Sequence, residues 1–143
     1  MNKSPSPSLK PLVVFAHGKE SGPWGSKIVF LADIAKQLGA EVLSPDYSGM
    51  DNPDHRVAQL LALPELQSKN YSSLLLVGSS MGGYVSVVAS QTLKPHGLFL
   101  LAPAIGIAGY PLQQSTIGCD EVEIVIVLCL ILALFSKNFY SAF

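Results

Sequence analysis

The pattern with the clearest chemistry is a serine with a glycine two positions to either side, Gly78-Ser79-Ser80-Met81-Gly82. A serine hydroxyl attacks carbonyl carbons when it is fully presented and when donors wait for the negative charge that develops. A serine at the tip of a tight strand-to-helix turn meets the first condition. Its neighbours two positions away approach each other there, and Gly78 and Gly82 avoid a Cβ clash. A helix beginning just behind Ser80 meets the second, because its free N–H groups favour negative charge. The Met81 N–H is then the expected half of an oxyanion hole. The bland alternative is a Gly/Ser-rich loop in an ordinary βα unit. Context favours the sharp turn: Leu74–Val77 is a continuous apolar run of the kind buried on both faces, and a helix-length segment rich in small residues follows from Gly83 to Thr92.

Positioning such a turn requires further strands and helices, and the chain supplies them in alternation. Leu12–Ala16 is a second buried-strand candidate, ending at His17-Gly18 and a loop rich in Gly and Pro. A helix is expected from about Ser26, a plausible N-cap, with Ile28, Leu31, Ile34, Ala35 and Leu38 at helical spacing and Gly39 as its stop. Glu41–Leu43 reads as a short strand closed by Ser44-Pro45-Asp46. A second helix is expected with Asp54 as its cap and Val57, Leu60 and Leu61 as its buried face, bent or ended by Pro64. After the Ser80 helix, Leu98–Leu101 is a fourth strand. Strand–helix alternation implies parallel strands with helices on both faces. In such a sheet ligands sit at the carboxyl ends of the strands. His17-Gly18-Lys19, Asp46, Ser80 and Pro103 all fall at those ends, so four loops converge on one edge.

Bulk properties narrow the function classes. A chain of 143 residues allows one domain, and 49% hydrophobic against 13% charged residues gives it a substantial core. A net charge of −1 offers no footprint for nucleic acid or an anionic membrane. Two cysteines outside any paired motif and three scattered histidines make no metal signature; a cytoplasmic location with reduced cysteines is expected. Residues 1–11 are Ser/Pro-rich without an apolar stretch and read as a disordered leader, followed by a domain over 12–128. Residues 129–143 read as an atypical apolar tail. The unbroken apolar run Ile124–Phe135, 12 residues, is short for a membrane span, which needs about 20. Ala104–Glu121 reads as an irregular flap or crossover.

The segments FAHGKESGPWGSKI and LLLVGSSMGGYVSVVAS together resemble the α/β-hydrolase superfamily, among its small bacterial serine hydrolases, over roughly Leu12 to Val125. The resemblance implies a three-layer α/β/α fold with a mainly parallel sheet. It implies Ser80 as the catalytic nucleophile, and backbone donors from Lys19 and Met81 in the oxyanion hole. It further implies that His17 and Gly18 support the loop holding Lys19. The implied substrate is a small ester or acyl compound, with no metal or organic cofactor. Acyl transfer would use the same residues.

The chain departs from the family pattern after Val125. A catalytic Asp and then a catalytic His are expected beyond that strand, with a last strand and helix. The sequence has no Asp or Glu after Glu123 and no His after His96. Two explanations are open: a shortened chain that kept the fold, or a shift of reading frame near Val125–Val127, which the abrupt apolar change favours. The expected activity is therefore weak or absent. The alternative is a non-catalytic remnant or binding protein with the same fold. Of the three histidines, His17 in the oxyanion loop is the first substitute base to consider; His55 reads as a solvated residue in the first turn of a helix, and His96 falls at the wrong end of the sheet.

Overall fold

The computed structural model describes residues 8–110 and the backbone of residues 123–127. The flap expected over Ala104–Glu121 is described only to Tyr110, and the tail expected over 129–143 lies outside the described residues, as do residues 1–7 of the expected leader. Residues 8–11 are described, and two of them join the sheet's bonding: the Lys10 carbonyl accepts from Ser72 N at 2.9 Å and that of Pro11 from Glu41 N at 2.8 Å.

Among the described residues nine elements follow in order: β1 Leu12–Ala16, α1 Ser26–Gln37, β2 Glu41–Leu43, α2 Pro53–Leu61, α3 Pro64–Ser68, β3 Leu74–Ser79, α4 Met81–Leu93, β4 Gly97–Leu101 and β5 Glu123–Val127. The strands form one parallel sheet in the order β2-β1-β3-β4-β5. The alternation read from the sequence is thus the architecture. The register aligns Ala16 with Gly78 and Ser79 with Leu101, so the chain leaves β1, β3 and β4 at one edge, at consecutive positions.

Side chains alternate across the pleat and build a core on each face. Leu12, Val14, Ala16, Leu74, Leu76, Leu98 and Leu100 pack against Val57 and Leu60 of α2, Leu66 of α3 and Tyr84 and Val85 of α4. Val13, Phe15 and Val77 face the other way, against Ile28 and Ala32 of α1.

Three local expectations are corrected. Helix α1 is capped by Gly25 without a side-chain bond, and Ser26 is its first residue. Helix α2 is capped by Asn52, whose side chain accepts from Asp54 N at 2.9 Å; Pro53 occupies the first turn, where its missing N–H costs nothing. The expected buried face of α1 is only partly buried. Ile28 and Ala32 are buried and Leu31 and Ala35 half-buried, but Ile34 and Leu38 are exposed. Among the described helices α1 alone packs on its face of the sheet, so only its sheet-facing strip is covered.

Candidate active site

Ser80 lies between the last residue of β3 and the first of α4, with φ 52° and ψ −121°. Residues with a Cβ rarely adopt a positive φ, at a cost of about 1–3 kcal/mol, so the surroundings must hold it there. They do so through the backbone. Ser80 N donates to the Leu101 carbonyl at 3.0 Å, and the Ser80 carbonyl accepts from Gly83 N and Ala104 N, both at 2.8 Å. The side chain is free of the usual capping duty: Ser80 stands at the N-cap of α4 without a side-chain cap bond, and it is exposed. An N-cap serine ordinarily spends its oxygen on the helix amides; this one presents it.

The glycines make the turn sterically possible. A methyl on Gly82 would overlap the Ala16 carbonyl, so the start of α4 is pressed against the end of β1. A methyl on Gly78 would overlap the carbonyl of Gly82 and come 2.6 Å from Ser86 Oγ. Gly83 faces Pro103, whose Cα would lie 2.7 Å from an added methyl.

The loop after β1 runs beside this turn. A methyl on Gly18 would sit 3.3 Å from Ser80 Cβ and 3.5 Å from the Ser79 carbonyl. His17 is fully buried, and both ring nitrogens are engaged. Nε2 accepts from Tyr47 N at 2.8 Å, which leaves Nδ1 to carry the proton and donate to the Gly18 carbonyl at 2.7 Å. The peptide from Gly18 to Lys19 is planar and trans, so its N–H points opposite to its carbonyl. Drawing the Gly18 carbonyl in to His17 turns the Lys19 N–H away from the His17 ring. Among the described residues neither Lys19 N nor Met81 N donates a backbone hydrogen bond.

In this network both ring nitrogens of His17 are engaged, and neither bonds to Ser80. Its Nε2 lies 3.8 Å from an Asp46 carboxylate oxygen, but that is no ion pair while Nε2 accepts the Tyr47 amide proton. His55 is exposed on α2. His96 stands at the opposite edge of the sheet, where Nδ1 accepts from Leu74 N at 3.1 Å. The chain's three histidines are thus all accounted for, and none is hydrogen-bonded to Ser80. Asp46 is a turn residue that accepts from Ser48 N at 2.9 Å; hydrogen bonding from Ser48, side chain before amide, holds its carboxyl below the usual range.

Sequence reasoning missed one residue of this region. Arg56, on α2, is 1% exposed, among the largest fully buried side chains. Its Nε donates to the Met50 carbonyl at 2.7 Å and its Nη1 to the His17 carbonyl at 3.2 Å, with the guanidinium 5.4 Å from the centre of the Tyr47 ring. Burial, opposed by the charges of Tyr47 and Asp51, pulls its pKa down, and burial pushes the Tyr47 hydroxyl up. The helical spacing of Val57 and Leu60 gave only an indirect signal that position 56 faces inward. Nearby, the Tyr84 hydroxyl donates to Asp54 at 2.8 Å, and burial followed by that bond pushes it up to about 12. Lys19 and Asp51 pair at 3.2 Å on the surface, a contact of little energy.

Among the described residues no group of three His, Cys, Asp or Glu side chains could hold a metal ion, and no helix is long and apolar enough to cross a membrane. A cleft of about 730 Å³ lies on the α1 face, lined by Val13, Phe15, Val77 and Phe99; neither Ser80 nor Lys19 nor Met81 borders it.

A parallel sheet whose strand ends carry a strained serine and a neighbouring glycine loop agrees with the comparison with known proteins. The chain belongs to the alpha/beta hydrolase family, whose model matches residues 13–131. Among solved structures it is similar to a protein of the alpha/beta hydrolase superfamily from Xanthomonas campestris pv. campestris, with 27% identity and a TM-score of 0.69, covering 80% of this chain and 69% of that one. A second, an a/b serine hydrolase without lid from Xanthomonas campestris, shares 22% identity at a TM-score of 0.55; the match covers 86% of this chain and 61% of that one. An extracellular alpha/beta-hydrolase from a Paenibacillus species matches at 19% identity and a TM-score of 0.50, over 64% of this chain and 40% of that one. The last two show likeness of fold. No curated protein matches.

Proposed function

We propose that the chain is a serine hydrolase of the α/β type acting on a small ester or acyl substrate, with Ser80 as nucleophile. The observation that carries the reading is the positive φ of Ser80 at a strand-to-helix turn, with its hydroxyl exposed and uncommitted. Ser80 Oγ attacks the carbonyl carbon, and the carbonyl oxygen takes the negative charge. The Lys19 and Met81 amides receive that oxygen, a contribution of several kcal/mol where donors are preorganised. Collapse expels the alcohol, which takes a proton, and water then releases the acid from the acyl-serine. No metal or organic cofactor enters these steps.

Among the described residues no base stands at Ser80. With both His17 ring nitrogens engaged and no other histidine bonded to Ser80, the hydroxyl proton has no histidine acceptor among the described residues. Activity is then limited to what binding and the oxyanion donors supply, about 10³–10⁴-fold over water. The same observation favours a second reading, a non-catalytic binding protein with this fold. Turnover of p-nitrophenyl acetate by purified protein, beside Ser80→Ala, separates the two. Slow turnover lost in the variant supports the hydrolase. Equal rates with and without the serine support the binding protein. A rate on the order of 10 s⁻¹, ordinary for enzymes, would overturn the argument about the base.

A further inference from the structure

We propose that Arg56 is a positioning residue for the oxyanion hole: its guanidinium fixes the His17–Gly18 peptide so that the Lys19 amide stays aimed beside Ser80. The inference rests on the reading of Ser80 as nucleophile and of Lys19 as a donor. It begins from a cost. Taking a cation out of water costs several kcal/mol, and an apolar side chain of similar length would fill the same space without it. Among the described residues no carboxylate lies within ion-pairing distance of Arg56, so a salt bridge does not account for its burial. What the guanidinium does have is two carbonyls from two different loops, Met50 after β2 and His17 after β1. A planar fork can hold both at once, in directions that an ammonium cannot match.

Gly18 has no side chain to pack, and its backbone is permissive, so the peptides on either side are fixed only by their hydrogen bonds. The peptide after Gly18 is held through its carbonyl by His17 Nδ1. The peptide before it is held through its carbonyl by Arg56 Nη1. That carbonyl also lies against the start of α4, since a methyl on Gly82 would come 2.8 Å from it. Arg56 therefore clamps the peptide plane next to the one that His17 holds, and the Tyr47 ring lies beside both side chains, its centre 5.3 Å from that of the tilted His17 ring and 5.4 Å from the guanidinium. Losing the clamp lets the plane rotate, and the Lys19 amide drifts from the position the oxyanion occupies. An oxyanion donor acts only in the transition state, so the loss falls on the chemical step and not on binding.

The test compares wild type, Arg56→Met and Arg56→Lys by two measurements. One is the kinetics of covalent labelling by an alkyl fluorophosphonate, resolved into probe affinity and maximal rate. The other is hydrogen exchange at the Tyr47 amide, which donates to His17 Nε2 and so reports whether the His17 network is held in place. Arg56→Met is expected to lower the maximal rate about 100-fold with unchanged probe affinity, the size of effect seen when one donor is lost. Its Tyr47 amide should exchange faster, while the bonded amides of Leu74 and His96, at the far edge, hold their wild-type rates. Arg56→Lys should fall between, and it carries the test alone should Arg56→Met fail to fold. A folded variant that labels and exchanges like wild type overturns the proposal. A wild type that never labels defeats the hydrolase reading instead, and the exchange rates then decide by themselves whether Arg56 holds the loop.

Discussion

Ser80 sits where glycine would be more comfortable. Its φ of 52° with ψ of −121° is a region open mainly to residues without a Cβ, and the three backbone hydrogen bonds through its N–H and carbonyl keep it there. Ser80→Gly is therefore expected to raise stability by about 1 kcal/mol in urea denaturation, while removing the hydroxyl on which the proposed chemistry depends. Gly82 is the reverse case. Any side chain there meets the Ala16 carbonyl, which belongs to the sheet and cannot yield cheaply. Gly82→Ala should cost at least about 3 kcal/mol, read as a lowered urea midpoint or as loss of soluble protein. Of the residues at this edge, the serine and its glycines were legible in the sequence because their spacing has a steric reason. Arg56 was not legible: arginine is a surface residue by default, and only the meeting of two loops gives it carbonyls to hold.

Helices α2 and α4 meet over one face of the sheet, and a Tyr84–Asp54 hydrogen bond joins them. Tyr84 is 2% exposed, and its hydroxyl is pushed up to about 12, first by burial and then by the carboxylate. The unfolded chain ionises tyrosine near the ordinary value of about 10. Stability from this group is thus fully present below pH 10 and is lost as pH rises toward 12. Tyr84→Phe should flatten the fall in melting temperature across that window; an unchanged alkaline limb would place the cause elsewhere. At this scale the apolar runs of β1, β3 and β4 were readable because strands buried on both faces need continuous apolar residues. The caps of α1 and α2 were misplaced by one or two residues. At α2, Asn52 and Asp54 are both good caps, and only the position of Pro53 in the first turn decides between them. The exposure of Ile34 and Leu38 was unreadable for a different reason: helical spacing names a face but not what lies opposite it.

For the molecule as a whole, strand–helix alternation predicted a parallel sheet with a ligand edge, and the observed sheet brings the β1 loop, the Ser80 turn and the end of β4 together on that edge. The order of strands could not be derived from periodicity, since register and neighbours are set by tertiary pairing. The proposed function requires that this edge present Ser80 as a nucleophile. Intact-mass analysis of folded protein incubated with an alkyl fluorophosphonate, followed by peptide mapping, tests it most directly. One slowly formed adduct is expected on the peptide carrying Ser80, absent from Ser80→Ala. No adduct after prolonged exposure, or an adduct that persists in Ser80→Ala, would contradict it.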